Sequence, residues 1–276
     1  MGLAALALLA IACSGDSAPA ATAVPRTTIP TIRITATEYS FGAPAQVAGG
    51  FVRLRLVNEG MEPHELQLLR PNEGVTSVQL EAALLAGNTG QLGSLVSFSG
   101  GAAVMAPGRE GEAIVELKGG KYYLASLVAG GDGVSQASKG MFQTIEVVAT
   151  TGNIPRPAPD LSLTLADFSI TGPDSARAGV VTIGASNNGS QPHQVAVFQL
   201  QGLSLDELKE AAANPAAGAS KLYEELGGLA AIAAGTEGWA VADLPAGDYA
   251  FLCLQRDEKS GSPHAALGMI KAVTVR

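Results

Sequence analysis

Four side chains in the carboxyl-terminal half of the chain have the types to do chemistry together: His193, Cys253, His264 and Met269. A thiolate, two imidazoles and a thioether make the trigonal donor set with a weak axial sulfur that selects copper and tunes it for one-electron exchange. The chain's totals of 3 His and 2 Cys in 276 residues set a ceiling. Neither a zinc site with four cysteines nor a centre needing four imidazoles can be built from one copy of this chain. No Ser–His–Asp logic, phosphate-cradling Gly-rich loop or paired-carboxylate motif stands out, and Gly49-Gly50 and Gly130-Gly131 read as turns.

The elements that must position these residues repeat. Asn58-Glu59-Gly60-Met61-Glu62-Pro63-His64 recurs as Asn187-Asn188-Gly189-Ser190-Gln191-Pro192-His193, and Glu38-Tyr39-Ser40-Phe41 as Asp167-Phe168-Ser169-Ile170, both at an offset of 129. Gly120-Lys121-Tyr122 matches Gly247-Asp248-Tyr249, and Gly140-Met141 matches Gly268-Met269, at nearly the same spacing. Two copies of one domain follow. Within each the hydrophobic period is 2: Val52, Leu54 and Leu56 alternate with Arg53 and Arg55, and Tyr249, Phe251 and Cys253 share one strand face. Two aromatic rings on that face direct Cys253 inward. Helix is expected in one place per copy, opened by Thr76 to Gln79 and ending near Gly87, and by the capping box Ser204-Leu205-Asp206-Glu207, running until Asn214-Pro215. About seven short strands and one helical excursion, twice over, predict an all-β protein of two sandwiches. The reading divides the chain into a signal peptide over 1–12, a tether over 13–30, a first domain over 31–149, a Pro-rich linker over 150–160 carrying Pro155, Pro157 and Pro159, and a second domain over 161–276.

In order and type, Asn187-x-Gly189-x-x-Pro192-His193, the strand ending Tyr249-x-Phe251-x-Cys253, and His264-x4-Met269 resemble the cupredoxins, the plastocyanin and azurin group of blue copper proteins. The resemblance spans the second copy entirely and implies two tandem cupredoxin-like Greek-key sandwiches. It also implies that His193, Cys253 and His264 are copper ligands, that Met269 is the long axial ligand, and that the backbone N–H of Gln194 donates to the Cys sulfur. The ten residues from Leu254 to Pro263 are more than family members place between Cys and His, and the charged run Arg256-Asp257-Glu258-Lys259-Ser260-Gly261 predicts a surface loop there. In the first copy His64 and Met141 persist, but Ser126 and Gln136 stand where thiolate and imidazole are needed, so one copper per chain is expected.

Each of these residues has a plainer reading. Cys253 could be a small buried hydrophobe, His193 a satisfied strand-end histidine, since His64 persists without the other ligands, and Met269 core packing, since Met141 persists too. His264 is the more diagnostic, being lost from the first copy together with the thiol. Trp239 and the tyrosines read as core or interface. At the amino terminus, Leu3 to Ala12 forms a signal-peptide core ending at Cys13, and the sequence resembles a bacterial lipobox with Cys13 as the lipidated residue. An extracytoplasmic, membrane-anchored protein is the expectation, in the periplasm or at the cell surface. A net charge of −8 argues against nucleic acid as partner. Asp206, Glu207, Glu210, Glu224 and Glu225 read either as a solvated face or as a docking face for a cationic redox partner. The leading expectation is a one-electron shuttle and not an enzyme, because three histidines cannot furnish this site plus a three-His catalytic copper. Its rivals are a metal-free binding or structural module and a Cu(I) carrier.

Overall fold

The computed structural model describes residues 1–2, 28–87, 89–151, 154–213 and 223–276. The expected leader core, Cys13, the tether up to residue 27 and the helix stop at Asn214-Pro215 lie outside the described residues.

Strands dominate. In the first half these are β1 (Thr31–Thr37), β2 (Ser40–Gly42), β3 (Gln46–Ala48), β4 (Gly50–Asn58), β5 (Gln67–Pro71), β6 (Val96–Phe98), β7 (Glu110–Leu117), β8 (Gly120–Ala125) and β9 (Phe142–Val148). The second half follows with β10 (Leu161–Ala166), β11 (Ser169–Thr171), β12 (Ser175–Ala176), β13 (Gly179–Asn187), β14 (His193–Leu200), β15 (Tyr223–Ile232), β16 (Glu237–Leu244), β17 (Gly247–Leu252) and β18 (Ile270–Val275). Among the described residues each half thus carries nine strands, the extra ones being pieces of two or three residues too short to show a period. The strand orders correspond one for one: β3-β9-β8-β5-β6 against β12-β18-β17-β14-β15, and β2-β1-β4-β7 against β11-β10-β13-β16.

The sandwiches form because the alternation is real. Along β4, Val52, Leu54 and Leu56 are buried while Arg53 and Arg55 reach across to Glu112 and Glu110 on β7. In the second sandwich β17 is buried on both faces. Tyr249, Phe251 and Cys253 enter the inter-sheet core with Leu163, Val195, Val197 and Met269. Ala250 and Leu252 pack outward against Phe198, Ala265 and Leu208. Leu208 belongs to α3 (Leu205–Ala213), whose first turn is closed reciprocally by Ser204 and Glu207.

Two expectations need correction. The first sandwich has two helices, α1 (Ser77–Leu85) with its Thr76–Gln79 capping box and α2 (Thr89–Leu95). The second lacked a sequence signal because its Thr-Gly-Gln-Leu-Gly-Ser-Leu run contains two glycines, which oppose helix. Glu224 and Glu225, read above as one acidic face with Asp206, Glu207 and Glu210 of α3, lie instead on β15.

The halves are joined edge to edge. β7 pairs antiparallel with β16, Ile114 opposite Trp239 and Ala113 opposite Ala240, so the two inner sheets fuse into one sheet of eight strands. Phe51 meets Trp239 edge-on with centroids 5.6 Å apart, and Arg156 of the linker lies over the same indole while pairing with Glu237.

Candidate metal centre

The first histidine is placed by a loop that the sequence closes on itself. Asn187 is buried; its amide donates to the carbonyls of Gln191 and Ile232, and its oxygen accepts from the Gly189 N–H. Pro192, which offers no N–H of its own, then turns the chain into β14 at His193. The β14–β15 pairing shifts register between His193 and Val195. Gly228, paired with Ala196 just beyond this shift, holds φ at 137°, and an added Cβ there would sit 1.9 Å from the Val195 carbonyl oxygen. His193 to Phe198 are all buried, so β14 is covered on both faces and does not alternate in and out.

Cys253 follows the last residue of β17, and its N–H donates to the Met269 carbonyl. His264 is returned to it by the ten-residue loop. Within that loop the Asp257 carboxylate accepts from Ser260 N–H and Oγ, Asp257 N–H donates to Ser262 O, and His264 N–H donates to Gln255 O. Gln191 latches the loop to the first histidine's loop: its amide donates to Asp257 Oδ1 at 2.9 Å and its oxygen accepts from Glu258 N–H at 3.0 Å. The run is thus exposed at Arg256 and from Glu258 to Gly261, with Asp257 buried between them. The length that departs from the family pattern is shared by both halves, since Leu127 to Ser135 spans nine residues between Ser126 and Gln136.

His193, Cys253 and His264 converge, each fully buried. Nδ1 of His193 lies 3.1 Å from Nδ1 of His264, and Cys253 Sγ lies 3.7 Å and 3.4 Å from the same two nitrogens. With zinc–ligand lengths as guide, two imidazole nitrogens and a thiolate on one ion are separated by about 3.3–3.6 Å (N···N) and about 3.5–3.8 Å (N···S). The three donors match that spacing within a few tenths of an ångström. The donor set therefore fits a soft ion, and copper by its chemistry.

The surroundings point the same way. Gln194 N–H donates to Cys253 Sγ at 3.4 Å, which braces the sulfur from behind. Burial pushes the Cys253 thiol up to about 12 against the backbone donors Gln194 and Gln255, so a cation arriving there displaces a proton. His264 is pushed down to about 4 by burial and then by the neighbouring His193, and burial lowers His193 as well, leaving both rings neutral and able to coordinate near pH 7. Met269 is fully buried in the same core, and its N–H donates to the His264 carbonyl. Sequence reasoning missed the turn joining β10 to β11. Asp167 Oδ1 is 3.0 Å from His193 Nε2, and the Phe168 ring meets His264 edge-on at 5.4 Å. The repeated Glu38-Tyr39 and Asp167-Phe168 pairs were its visible signal.

In the first sandwich the same positions are knit by ordinary hydrogen bonds. Gln136 Oε1 lies 2.8 Å from His64 Nδ1 and accepts from Ser126 Oγ at 2.6 Å. The amide of Gln136 donates to the Pro63 carbonyl.

No protein-family model matches the chain, and no curated protein matches it. Among solved structures it is similar to dithionite-reduced auracyanin from Roseiflexus castenholzii, at 16% identity over 42% of this chain and 94% of that one, with a TM-score of 0.30. Auracyanin A of Chloroflexus aurantiacus, described as a "blue" copper protein, is 16% identical over 45% of this chain and 100% of its own, with a TM-score of 0.31. Copper nitrite reductase from Nitrosomonas europaea is 12% identical over 90% of this chain and 94% of its own, with a TM-score of 0.25. The all-β architecture of both halves stands on the strand order and registers given above. Among the described residues no helix is long and apolar enough to cross a membrane.

Proposed function

We propose that the second sandwich holds one type 1 copper ion on His193, Cys253 and His264, with Met269 as the weak axial ligand, and that the protein carries single electrons outside the cytoplasm, tethered through a lipid on Cys13. The observation that carries this reading is the convergence of two imidazole nitrogens and a thiol sulfur, all buried, within 3.1–3.7 Å of one another. When bound, copper supplies a one-electron couple. The chain's own contribution is rigidity. Cys253 and Met269 are tied by a backbone hydrogen bond, His264 by three more, and the His193 loop by the buried Asn187, so the donors keep their places whichever charge they face. Exclusion of water by Phe168 and the loop over 254–263 serves the same end. The histidine count supports a carrier over an enzyme: His64, the third, is engaged with Gln136 in the other half.

The test is colour. The purified protein with Cu(II) turns intensely blue through thiolate charge transfer, and Cys253→Ser removes the colour. Copper retained without colour as Cu(I) would replace the shuttle with a carrier, and failure to retain copper at all would leave a metal-free module.

A further inference from the structure

We infer that Asp167 is the positioning residue of this centre: its carboxylate fixes which nitrogen of His193 faces the cluster and lends the site a nearby negative charge. The inference rests on the copper reading above for the charge effect, though not for the ring orientation.

Four observations carry it. Asp167 Oδ1 is 3.0 Å from His193 Nε2, and a carboxylate only accepts, so the ring proton sits on Nε2 and Nδ1 turns a bare lone pair toward Cys253 and His264. The carboxylate is itself aimed, accepting from Ser190 N–H at 2.9 Å and Ser190 Oγ at 2.6 Å. Gly189 leaves room for this pair and nothing more, since an added Cβ would sit 2.5 Å from both Asp167 Oδ1 and His193 Nε2. Finally, Phe168 holds φ at 64°, as its counterpart Tyr39 does at 54°, so both halves share this turn, and here it delivers the carboxylate to one histidine and the ring to the other.

The first sandwich shows what the turn does where the donor set is missing. Glu38 accepts there from the N–H groups of Met61 and Glu62, as Asp167 does from those of Ser190 and Gln191, so the clamp on the loop is common to both halves. Yet Glu38 Oε1 stands 3.6 Å from His64 Nε2, which has no hydrogen-bond partner, and Tyr39 turns instead to Lys139. Only beside the Cys–His cluster does the acid close on the imidazole.

Two variants separate the roles. Asp167→Asn keeps an acceptor for the ring and removes the charge; Asp167→Ala removes both. Nitrogen-15 NMR of the histidines, recorded without copper, should show His193 protonated at Nε2 in the wild type and in Asp167→Asn, and a mixture of tautomers in Asp167→Ala. With copper loaded, Asp167→Asn should raise the reduction potential, an increase of about tenfold in the Cu(I)/Cu(II) ratio at fixed poise. An unchanged His193 tautomer in Asp167→Ala would overturn the inference, as would a potential in Asp167→Asn equal to that of the wild type. The tautomer is read without metal, so a wild type that takes up no copper counts against the copper reading alone.

Discussion

Position 65 and its counterpart 194 differ by one atom type and set opposite chemistry beside the two sites. Glu65 is buried, its Oε1 accepting from Leu127 N–H, and burial raises its pKa to about 7 despite the backbone donors. Gln194, equivalent to it, bonds Gln255 and carries no charge. A folded acid that titrates near 7 holds its proton while the unfolded chain, near 4.5, has lost it. Stability therefore declines as pH rises through that interval and levels off above it, by at most about 3 kcal/mol. Chemical denaturation at pH 5 and pH 8 should show the decline, and Glu65→Gln should flatten it. A second prediction concerns the hydrogen-bonded triad: Ser126→Cys with Gln136→His restores the donor types beside His64 and Met141. Metal analysis of this double variant should find two coppers per chain in place of one.

At the scale of elements, the loop from Leu254 to Pro263 decides whether His264 belongs to the centre. Its residue types announce a surface excursion, and Glu258 to Gly261 are one. What they do not announce is the anchor, because Gln191 is distant in sequence and a glutamine amide has no preferred partner until folding brings one. Gln191→Ala removes both latch hydrogen bonds, leaves the backbone caps of the loop intact, and should weaken metal affinity by about 10- to 100-fold, read by competition with a chelator. The strands were more legible. Alternation along β4 and the shared face of Tyr249, Phe251 and Cys253 follow directly from a period of two, and Cys253 enters the core those rings define. The register shift beside His193 was hidden, since its extra residue lies on the partner strand β15.

For the whole molecule, the fusion of the inner sheets turns two sandwiches into one body. Gln67 is its rivet: buried, it donates to the Ala231 carbonyl and accepts from the Ala231 N–H, both at 2.9 Å, linking β5 to β15. Glycine-assisted crossings reinforce it, Ala230 N–H donating to Gly101 O and Ala103 N–H to Gly228 O. Gln67→Leu orphans the buried Ala231 N–H, while the Ala231 carbonyl keeps the Gly100 N–H, and should lower stability by about 1–3 kcal/mol, seen as a drop in the denaturation midpoint. The sequence held a hint of this junction in the runs Ala113-Ile114-Val115 and Gly238-Trp239-Ala240, which break alternation because both faces are covered. Register was beyond reach, since edge pairing uses backbone groups that every residue carries.

X-ray absorption at the copper edge of the loaded protein tests the central claim most directly. The account predicts one copper per chain with one sulfur and two imidazole nitrogens at about 2.0–2.3 Å, the sulfur lost in Cys253→Ser. A first shell of nitrogen and oxygen alone, unchanged by that substitution, would contradict it.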